Sequence, residues 1–333
     1  MQKHPNMSSP GVPLAPLLLK RIHSLAEAAA VLGVLFTLAG LLGRYAWFLE
    51  LFTHFKLQLA VCFLGYAVLE LAARRHRRAA VSLACAAINA WPVFFLFLPA
   101  SLGTGAILPL KDSAHIRILH ANLLTSNTNS PALLALVACE QPDVIVLHET
   151  DGRWLRDLAP LTNSYPVFAT LPRDDNFGAA IYCNSKALSS DIFLLNDPEG
   201  LPSSHAHIAV GGRTLTVIGV HPLAPYTGYL WRGRNGFTRE LAQTLKAVDS
   251  PLVVTGDFNN TPWTATFRAF LKASGLRDSS QGRGPLPTWP AANPLLRIPL
   301  DHCFHSSSVR ILSKRAGPDI GSDHLPLLID VAF

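Results

Sequence analysis

Three long apolar runs in the first hundred residues constrain this chain more than any other feature. They span residues 26–48, 57–71 and 79–100, and charged residues are nearly absent from them. A helix that crosses a bilayer needs about 20 mostly apolar residues. The first and third runs meet that length, and the second meets it if its flanks are counted. We therefore predict three transmembrane helices, in preference to a buried helical bundle or a cleaved signal peptide.

Basic residues orient these predicted helices. A cluster of Arg residues, RRHRR at 74–78, separates the second and third runs, and Lys3, Lys20 and Arg21 precede the first. Short loops rich in Lys and Arg stay in the cytoplasm. Three spans would then leave everything after about residue 100 outside. We expect a multi-pass protein of a bacterial inner membrane whose C-terminal part faces the periplasm.

The net charge of +6 belongs entirely to the N-terminal part. Residues 1–105 contain 9 Lys/Arg and 3 Asp/Glu, whereas residues 106–333 contain 19 of each. Proteins that follow a nucleic-acid backbone usually carry a basic footprint, and the C-terminal part has none in its total charge. Nucleic acid is therefore the less favoured partner, although a local basic patch would escape this count.

Composition divides the chain into a membrane domain, residues 1–105, and a second domain, residues 106–333, with a Gly- and Pro-containing linker at 101–114. Helical patterns in the second domain lie at residues 131–140, 235–248 and 263–274. The rest reads mainly as strands. Strands grouped with few helices between them predict two packed sheets with helices outside, an α+β or four-layer arrangement.

Polar residues fall just past the ends of the strand-like runs. They are Asn122, Glu149, His221, Asp257, Asn259, Asp301, Asp323 and His324. Each alone is commonest as a solvated loop residue or a structural imidazole. Eight of them at successive strand ends favour one shared functional site, because loops at strand ends carry function.

The stretch VVTGDFNNTPW, residues 253–263, carries the most specific chemistry. Asp257 and Asn259 lie two residues apart after a run of β-forming residues, so they project to the same side of a strand end. A carboxylate beside a carboxamide places a proton acceptor next to a neutral donor, which suits a water nucleophile and an anionic substrate. The alternative is an ordinary strand-to-loop turn, where Asp and Asn are common.

Five motifs, in their order along the chain, resemble those of the endonuclease/exonuclease/phosphatase superfamily. They are HANLL with Asn122, DVIVLHE with Glu149, GDFN with Asp257 and Asn259, LDH with Asp301, and GSDH with Asp323 and His324. This superfamily includes DNase I, abasic-site endonucleases, sphingomyelinases and inositol-polyphosphate 5-phosphatases. The resemblance runs from about residue 114 to the C-terminus. It implies a four-layer α/β/β/α sandwich of two mixed sheets, here preceded by the three predicted transmembrane helices.

The resemblance also implies a metal-dependent hydrolase of phosphoester bonds that uses Mg²⁺ or Mn²⁺. Glu149 resembles the principal metal ligand, Asn122 its neighbour in the metal site, and Asp323 a further carboxylate at the metal. Hard divalent cations prefer such oxygen ligands.

The other motif residues resemble the catalytic groups of the family. Asp257 resembles the group that orients or deprotonates the attacking water, and Asn259 a donor to the phosphate. His324 resembles a donor to the phosphoryl oxygens, Asp301 the carboxylate that holds its ring, and His221 the second phosphate-facing His. In-line hydrolysis needs a positioned water and neutralised phosphoryl charge, and these residue types supply both.

Two stretches depart from the family pattern or extend it. His148 replaces a Gln that commonly precedes the metal Glu, and we expect it to pack or to support a neighbour; a metal ligand or phosphate donor is the alternative. The segment at 228–241 places Arg232 and Arg239 after His221, which predicts a substrate-binding arm for an anionic head group; a solvated helix start is the alternative.

These observations predict a membrane-tethered phosphatase or phosphodiesterase that acts on a phospholipid head group or another lipid-linked or extracytoplasmic phosphoester. A tethered nuclease acting on DNA or RNA is one alternative, and a catalytically silent binding module is another. The short linker favours a substrate in the bilayer surface, since tethering raises the effective concentration of a membrane substrate. The substrate, the bond cleaved, the metal and the oligomeric state are left open by the sequence.

Overall fold

The computed structural model of the protein describes residues 14–99, 114–195 and 198–333. The predicted domain boundary at residues 105 and 106 lies outside the described residues, as does all of the predicted linker except its last residue.

Four helices form the N-terminal part of the molecule: α1 (Leu14–Leu41), α2 (Trp47–Leu51), α3 (Lys56–Ala72) and α4 (His76–Phe94). A 3-10 turn at Phe95–Phe97 extends the last of them. Their outward faces carry apolar side chains that are 60% to 70% exposed, including Leu25, Val61, Val68 and Trp91. An apolar surface of this kind is typical of helices that contact lipid or a partner.

Two helices of the described chain, not three, are long and apolar enough to cross a membrane. They are Arg21–Leu41 and His76–Phe97. The prediction of a third span at residues 57–71 is corrected, because α3 contains 17 residues and reaches only about 25 Å. The flanks that would lengthen it do not continue the helix. Residues 52–55 turn beneath the second domain, and Arg74 adopts a left-handed conformation with φ 57°.

The second domain contains two six-stranded sheets, which confirms the predicted pair of packed sheets. The first consists of β1 (His115–Asn122), β2 (Val144–His148), β3 (Val167–Leu171), β4 (Ala179–Cys183), β11 (Arg310–Ala316) and β12 (Leu327–Ala332). The second consists of β5 (Ala187–Leu194), β6 (Pro202–Val210), β7 (Arg213–Val220), β8 (Leu252–Asp257), β9 (Arg277–Asp278) and β10 (Asp301–His305). Their strand orders are β11-β12-β1-β2-β4-β3 and β5-β6-β7-β8-β10-β9. Both sheets are mixed, because β1 and β2 are parallel and so are β7 and β8.

The face between the two sheets is apolar along most of its length and polar at one end. Ile116 and Ile118 of β1 and Val253 of β8 are buried in the inter-sheet core. Side chains two residues apart point to the same face of a strand. The next inward positions of β1 are therefore His120 and Asn122, and alternation along β8 from Val253 ends at Asp257. The site is thus the polar end of the central core face.

Helices cover the outer faces of the two sheets. The first sheet is covered by α5 (Ser130–Glu140) and α6 (Gly152–Asp157), and the second by α7 (Gly228–Leu245) and α8 (Ala265–Ser274). The predicted helix at 235–248 begins seven residues earlier, at Gly228. Thr227 accounts for this start, because its side-chain oxygen caps the helix by accepting from the backbone N–H of Leu230.

The second domain sits on one end of the N-terminal helices. Gln58 Nε2 donates to the backbone oxygen of Arg297 at 2.9 Å, and His54 Nδ1 lies 3.0 Å from Thr261 Oγ1. Gln281 Nε2 donates to the Phe95 oxygen at 2.7 Å at the end of α4. The basic cluster at 74–78 connects α3 to α4 at the opposite ends of these two helices. The basic cluster and the second domain therefore lie at opposite ends of α3 and α4.

Candidate active site

Strand register brings the polar ends of both sheets together. Asn122 pairs with His148 at the ends of the parallel strands β1 and β2, so Glu149 follows at the same edge. Val220 pairs with Gly256 at the ends of β7 and β8, so His221 and Asp257 follow side by side. Since the two sheets pack face to face, these edges meet.

Asn122 joins the two sheets at the site. Its Nδ2 donates to Glu149 Oε1 at 2.9 Å and to Asp257 Oδ2 at 3.1 Å. The second oxygen of Glu149 accepts from the backbone N–H of Thr125 at 3.2 Å. The pairing of Asn122 with Glu149, predicted from sequence as part of a metal site, is thus a direct contact.

Asp257 lies at the centre of the cluster and is buried. Its Oδ1 accepts from the backbone N–H of Asn259 at 2.9 Å, and its Oδ2 lies 3.5 Å from His221 Nε2 and 3.4 Å from His324 Nε2. Burial disfavours the ionised carboxylate, but the charge of His324 and the hydrogen bond from His221 outweigh it and lower the pKa of Asp257 below its ordinary value. Asp257 is therefore an ionised carboxylate at neutral pH.

The two imidazoles next to Asp257 are shifted in the opposite direction. Burial disfavours their protonation, but Asp301 and Asp257 outweigh it at His324 and raise its pKa to about 10. Asp257 and Glu149 likewise outweigh burial at His221 and raise its pKa. His324 is thus a cation at neutral pH, which can donate a charged hydrogen bond to an anion.

Asp301 holds two imidazoles. Its Oδ2 lies 2.8 Å from His324 Nδ1, and its Oδ1 lies 2.9 Å from His120 Nε2. Burial opposes its ionisation, but the charge of His324 and the hydrogen bond from His120 lower the pKa of Asp301 well below the ordinary value. His120 was missed in the sequence, although it lies two residues before Asn122 and hence on the same strand face.

His148 is a neutral, fully buried side chain behind the site. Its ring lies between those of His120 and His221, with centroids 5.2 Å and 5.5 Å away. Burial and the two neighbouring imidazoles keep the pKa of His148 well below its ordinary value. Neither ring nitrogen has a hydrogen-bond partner among the described residues, so packing between its neighbours is the role that its surroundings support.

Two site residues adopt left-handed backbone conformations. Glu149 has φ 61° and Asn259 has φ 48°. Asn tolerates this region, whereas a Glu there is uncommon. Strain of this kind is frequent at functional sites, where surrounding contacts maintain it. Asn259 is fixed further by donating from Nδ2 to the Pro222 oxygen at 3.0 Å.

A cavity of about 610 Å³ opens beside these groups, and we call it the catalytic cavity. Six of the eight sequence-predicted strand-end residues line it: Glu149, His221, Asp257, Asn259, Asp323 and His324. Asn122 and Asp301 lie behind the lining residues, where Asn122 is hydrogen-bonded to Asp257 and Asp301 to His324. Asp323 accepts from Trp289 Nε1 at 3.0 Å.

Most of the remaining cavity wall is apolar. It includes Leu51 and Phe55 from the N-terminal segment, together with Leu223, Tyr226 and Leu230 from the second domain. Sequence reasoning did not predict that residues of the N-terminal part would line the cavity.

The predicted arm at 228–241 forms the first part of α7. Arg232 and Arg239 are exposed and do not line the catalytic cavity. Arg234 is instead fully buried, and its Nη2 donates to Glu50 Oε1 of α2 at 2.6 Å. The role of Arg232 and Arg239 in substrate binding stays a prediction.

The carboxylates of the site suit a metal ion. Among the described residues, Asp257, Asp301 and His324 place one ligand atom each within 4.8 Å of one another. Both oxygens of Asp301 already accept from imidazoles, so Asp257 and the adjacent Glu149 have more acceptor capacity toward the cavity. An oxygen-rich set of this kind fits a hard divalent cation.

Comparison with known proteins agrees with this geometry. Residues 119–324 match the model of the Endonuclease/Exonuclease/phosphatase family. No curated protein matches the sequence.

Solved structures share the fold at low sequence identity. D. rerio TDP2 complexed with a single-strand DNA product is 20% identical, covers 66% of this chain and 99% of its own, and has a TM-score of 0.55. The human Nocturnin catalytic domain with bound sulfate is 20% identical, with coverage of 66% and 97% and a TM-score of 0.53. An endonuclease/exonuclease/phosphatase from Bacteroides vulgatus is 17% identical, with coverage of 66% and 98% and a TM-score of 0.54.

The motif residues Asn122, Glu149, Asp257, Asp301 and His324 thus lie in one buried cluster at the end of two packed sheets, and the family model spans all of them. The chain belongs to the endonuclease/exonuclease/phosphatase family and is a phosphoester hydrolase of that family.

Proposed function

We propose that this hydrolase depends on Mg²⁺ or Mn²⁺ and cleaves the phosphoester of a membrane amphiphile, such as a phospholipid head group. The observation that carries this proposal is the composition of the catalytic cavity. Ionised and protonated groups form one wall, and apolar side chains form most of the rest, including Leu51 and Phe55 from the segment between α1 and α3. A head-group phosphate with its attached apolar chain matches both walls.

The residues of the site divide the reaction between them. Glu149 and Asn122, with Asp323, would hold the cation, which supplies positive charge to the phosphoryl oxygens when bound. Asp257 orients a water for in-line attack and accepts its proton. His324 and His221 donate to the phosphoryl oxygens, Asp301 fixes the ring of His324, and Asn259 donates its remaining amide hydrogen.

A nuclease function is less well supported. The domain that carries the site has equal numbers of acidic and basic residues, and it lacks the long-range field that gathers polyanions. An apolar cavity wall also offers little to a phosphate backbone. A catalytically silent module is disfavoured by the complete and mutually hydrogen-bonded cluster around Asp257.

The proposal is tested with a substrate panel on the purified full chain. We expect phosphate or head-group release from phospholipid vesicles to exceed hydrolysis of DNA, RNA and a small soluble phosphodiester. We also expect activity to vanish with excess chelator and to return with Mg²⁺ or Mn²⁺. Rapid DNA degradation without lipid turnover would favour the nuclease, and full activity in chelator would contradict the metal.

A matched pair of variants separates lipid specificity from general damage. Phe55→Ala removes part of the apolar wall, so it should lower lipid turnover several-fold more than turnover of the soluble phosphodiester. Phe168→Ala removes a ring that is 45% exposed on β3 and does not line the cavity, so it should leave the ratio unchanged. Equal losses for both substrates with Phe55→Ala would argue against an amphiphile.

The membrane location is proposed on the two helices that are long enough to cross a bilayer, Arg21–Leu41 and His76–Phe97. We propose that the basic cluster at 74–78 is cytoplasmic, as short basic loops are. The helix His76–Phe97 then carries the chain across the bilayer, so that the second domain faces outward. In a bacterium this places the site in the periplasm, at the outer surface of the inner membrane.

A reporter measures this topology directly. Alkaline phosphatase fused after Phe333 should be active, because it folds only outside the cytoplasm, whereas the same reporter inserted at residues 74–78 should be inactive. A cytoplasmic fluorescent reporter at the two positions should give the reverse pattern. An inactive phosphatase together with a fluorescent cytoplasmic reporter after Phe333 would overturn the orientation.

A further inference from the structure

A second cavity lies at the junction of the N-terminal helices with the second domain. It measures about 330 Å³, and we call it the junction cavity. It shares no lining residue with the catalytic cavity. The short helix α2 separates the two, because Glu50 lines the junction cavity and Leu51 lines the catalytic one.

Lys56 is the feature of this cavity that needs explanation. It is the first residue of α3, lines the cavity and is only 6% exposed. Within the described chain its ammonium has no hydrogen bond and no carboxylate partner. The side chain is mostly buried, and its ammonium has only the cavity to face, where an anionic ligand would stabilise it. The start of α3 adds favourable helix-dipole potential, and no side chain caps it.

The other charged groups around the cavity reinforce this indication. Arg44 and Arg268 also line it, so three basic side chains border the same space. Both Arg residues are exposed at its rim, where Arg268 Nη1 donates to the Trp263 oxygen at 2.6 Å and the Arg44 guanidinium lies over the Tyr45 ring. The single lining carboxylate, Glu50, is already neutralised. Its Oε1 accepts from Arg234 at 2.6 Å, and its Oε2 accepts from Trp231 Nε1 at 3.0 Å. The cavity therefore presents net positive charge.

The position of the cavity identifies the source of the anion. Its lining takes in Leu41, the last residue of one span, and Trp91, near the end of the other. Trp91 is 64% exposed, and Trp side chains favour the membrane–water interface. Arg and Lys side chains at the membrane surface can bind the phosphate of a lipid head group, and 330 Å³ lies within the size range of ligand pockets.

We propose that the junction cavity binds the phosphate of an anionic phospholipid head group, with Lys56, Arg44 and Arg268 as its cationic partners. This lipid is a ligand and not a substrate, because no group of the hydrolytic cluster lines the cavity. It stabilises the contact between the helices and the second domain. The inference requires contact with a membrane and does not depend on what the catalytic cavity hydrolyses.

Melting temperature in an uncharged detergent tests the proposal. Asp257→Asn serves as the common background in Mg²⁺, so that added lipid is not consumed. Phosphatidylglycerol at saturation should raise the melting temperature by at least about 4 °C more than phosphatidylcholine does, because either lipid can occupy the catalytic cavity but only the anionic one suits the junction cavity. Lys56→Met keeps the apolar stem without the charge and should lose most of this rise. Lys272→Met, at an exposed position on α8, should keep it.

A second readout guards against a variant that simply folds poorly. Without lipid, Lys56→Met should melt no lower than the unsubstituted background, because it removes an unpaired buried charge. An unchanged response of Lys56→Met to phosphatidylglycerol would overturn the site. An equal rise from inorganic phosphate at the same concentration would overturn the assignment to a lipid, as would an equal rise from phosphatidylcholine.

Discussion

Replacing Asp257 with Asn is expected to lower turnover by at least about 100-fold, the usual scale for losing a positioned acid or base. The substitution keeps the shape of the side chain, and its one remaining oxygen can still accept from the backbone N–H of Asn259. It removes the negative charge that raises the pKa of His221 and that adds to the effect of Asp301 in raising the pKa of His324. It also removes the acceptor for the proton of the attacking water. Steady-state rates with saturating metal measure the effect.

A buried carboxylate away from the site provides the control. Asp278→Asn changes a side chain that is 8% exposed and accepts from the backbone N–H of Ser280 at 2.8 Å. It should retain near-normal turnover, and both variants should keep their secondary structure. Near-normal turnover of Asp257→Asn would mean that Asp257 supports the fold and does not take part in the reaction.

Strand periodicity explains how much of this site could be predicted from the sequence. Asn122, Asp257 and Asp301 were found because each ends an apolar run, and strand ends meet at one edge of a sheet. His120 was missed because it lies inside such a run. The same alternation that places Ile116 and Ile118 in the core places His120 on that face, so the signal was present.

Contacts between distant segments of the chain leave no sequence pattern comparable to strand alternation. Arg234 was read as part of an exposed arm, but the residue that buries its charge, Glu50, precedes it by 184 positions. Leu51 and Phe55 lie between the first two predicted spans, where no site was predicted, and they line the catalytic cavity. The pattern of one segment shows which side chains are apolar or charged, and only the packing of two segments shows where they meet.

The predicted number of transmembrane spans was wrong for a related reason. Hydropathy alone treats residues 57–71 and their flanks as one stretch that can be extended into a helix of sufficient length. The flank before α3 is used to contact the second domain instead, through His54 and Thr261. A tertiary contact therefore ended the helix where composition did not.

Replacing Glu50 with Gln is expected to destabilise the protein by about 3–5 kcal/mol, the usual cost of breaking a buried ion pair by removing one partner. Glu50 and Arg234 are 2% and 0% exposed. Water therefore cannot solvate the Arg234 guanidinium that the substitution leaves without a counter-charge. Trp231 also loses its charged acceptor. Denaturant unfolding of the purified full chain, followed by fluorescence, measures the change.

Two variants make this result specific to the buried pair. Asp175→Asn breaks an ion pair with Arg173 whose side chains are 50% and 31% exposed, and it should cost less than about 1 kcal/mol. The double variant Glu50→Leu with Arg234→Met replaces the pair with apolar groups and should recover most of the lost stability. No recovery in the double variant would mean that Glu50 acts through contacts other than Arg234.

Turnover of the same proteins tests whether the junction supports the reaction. Arg234 Nη1 donates to the backbone oxygen of Asn259 at 3.0 Å, and Asn259 in turn donates its N–H to Asp257. Loss of Arg234 in the stable double variant should therefore lower kcat with little change in KM, because the loop that positions Asp257 loosens while the apolar cavity wall stays in place. Unchanged kcat in a double variant of normal stability would confine the ion pair to a structural role and make the catalytic loop independent of the N-terminal helices.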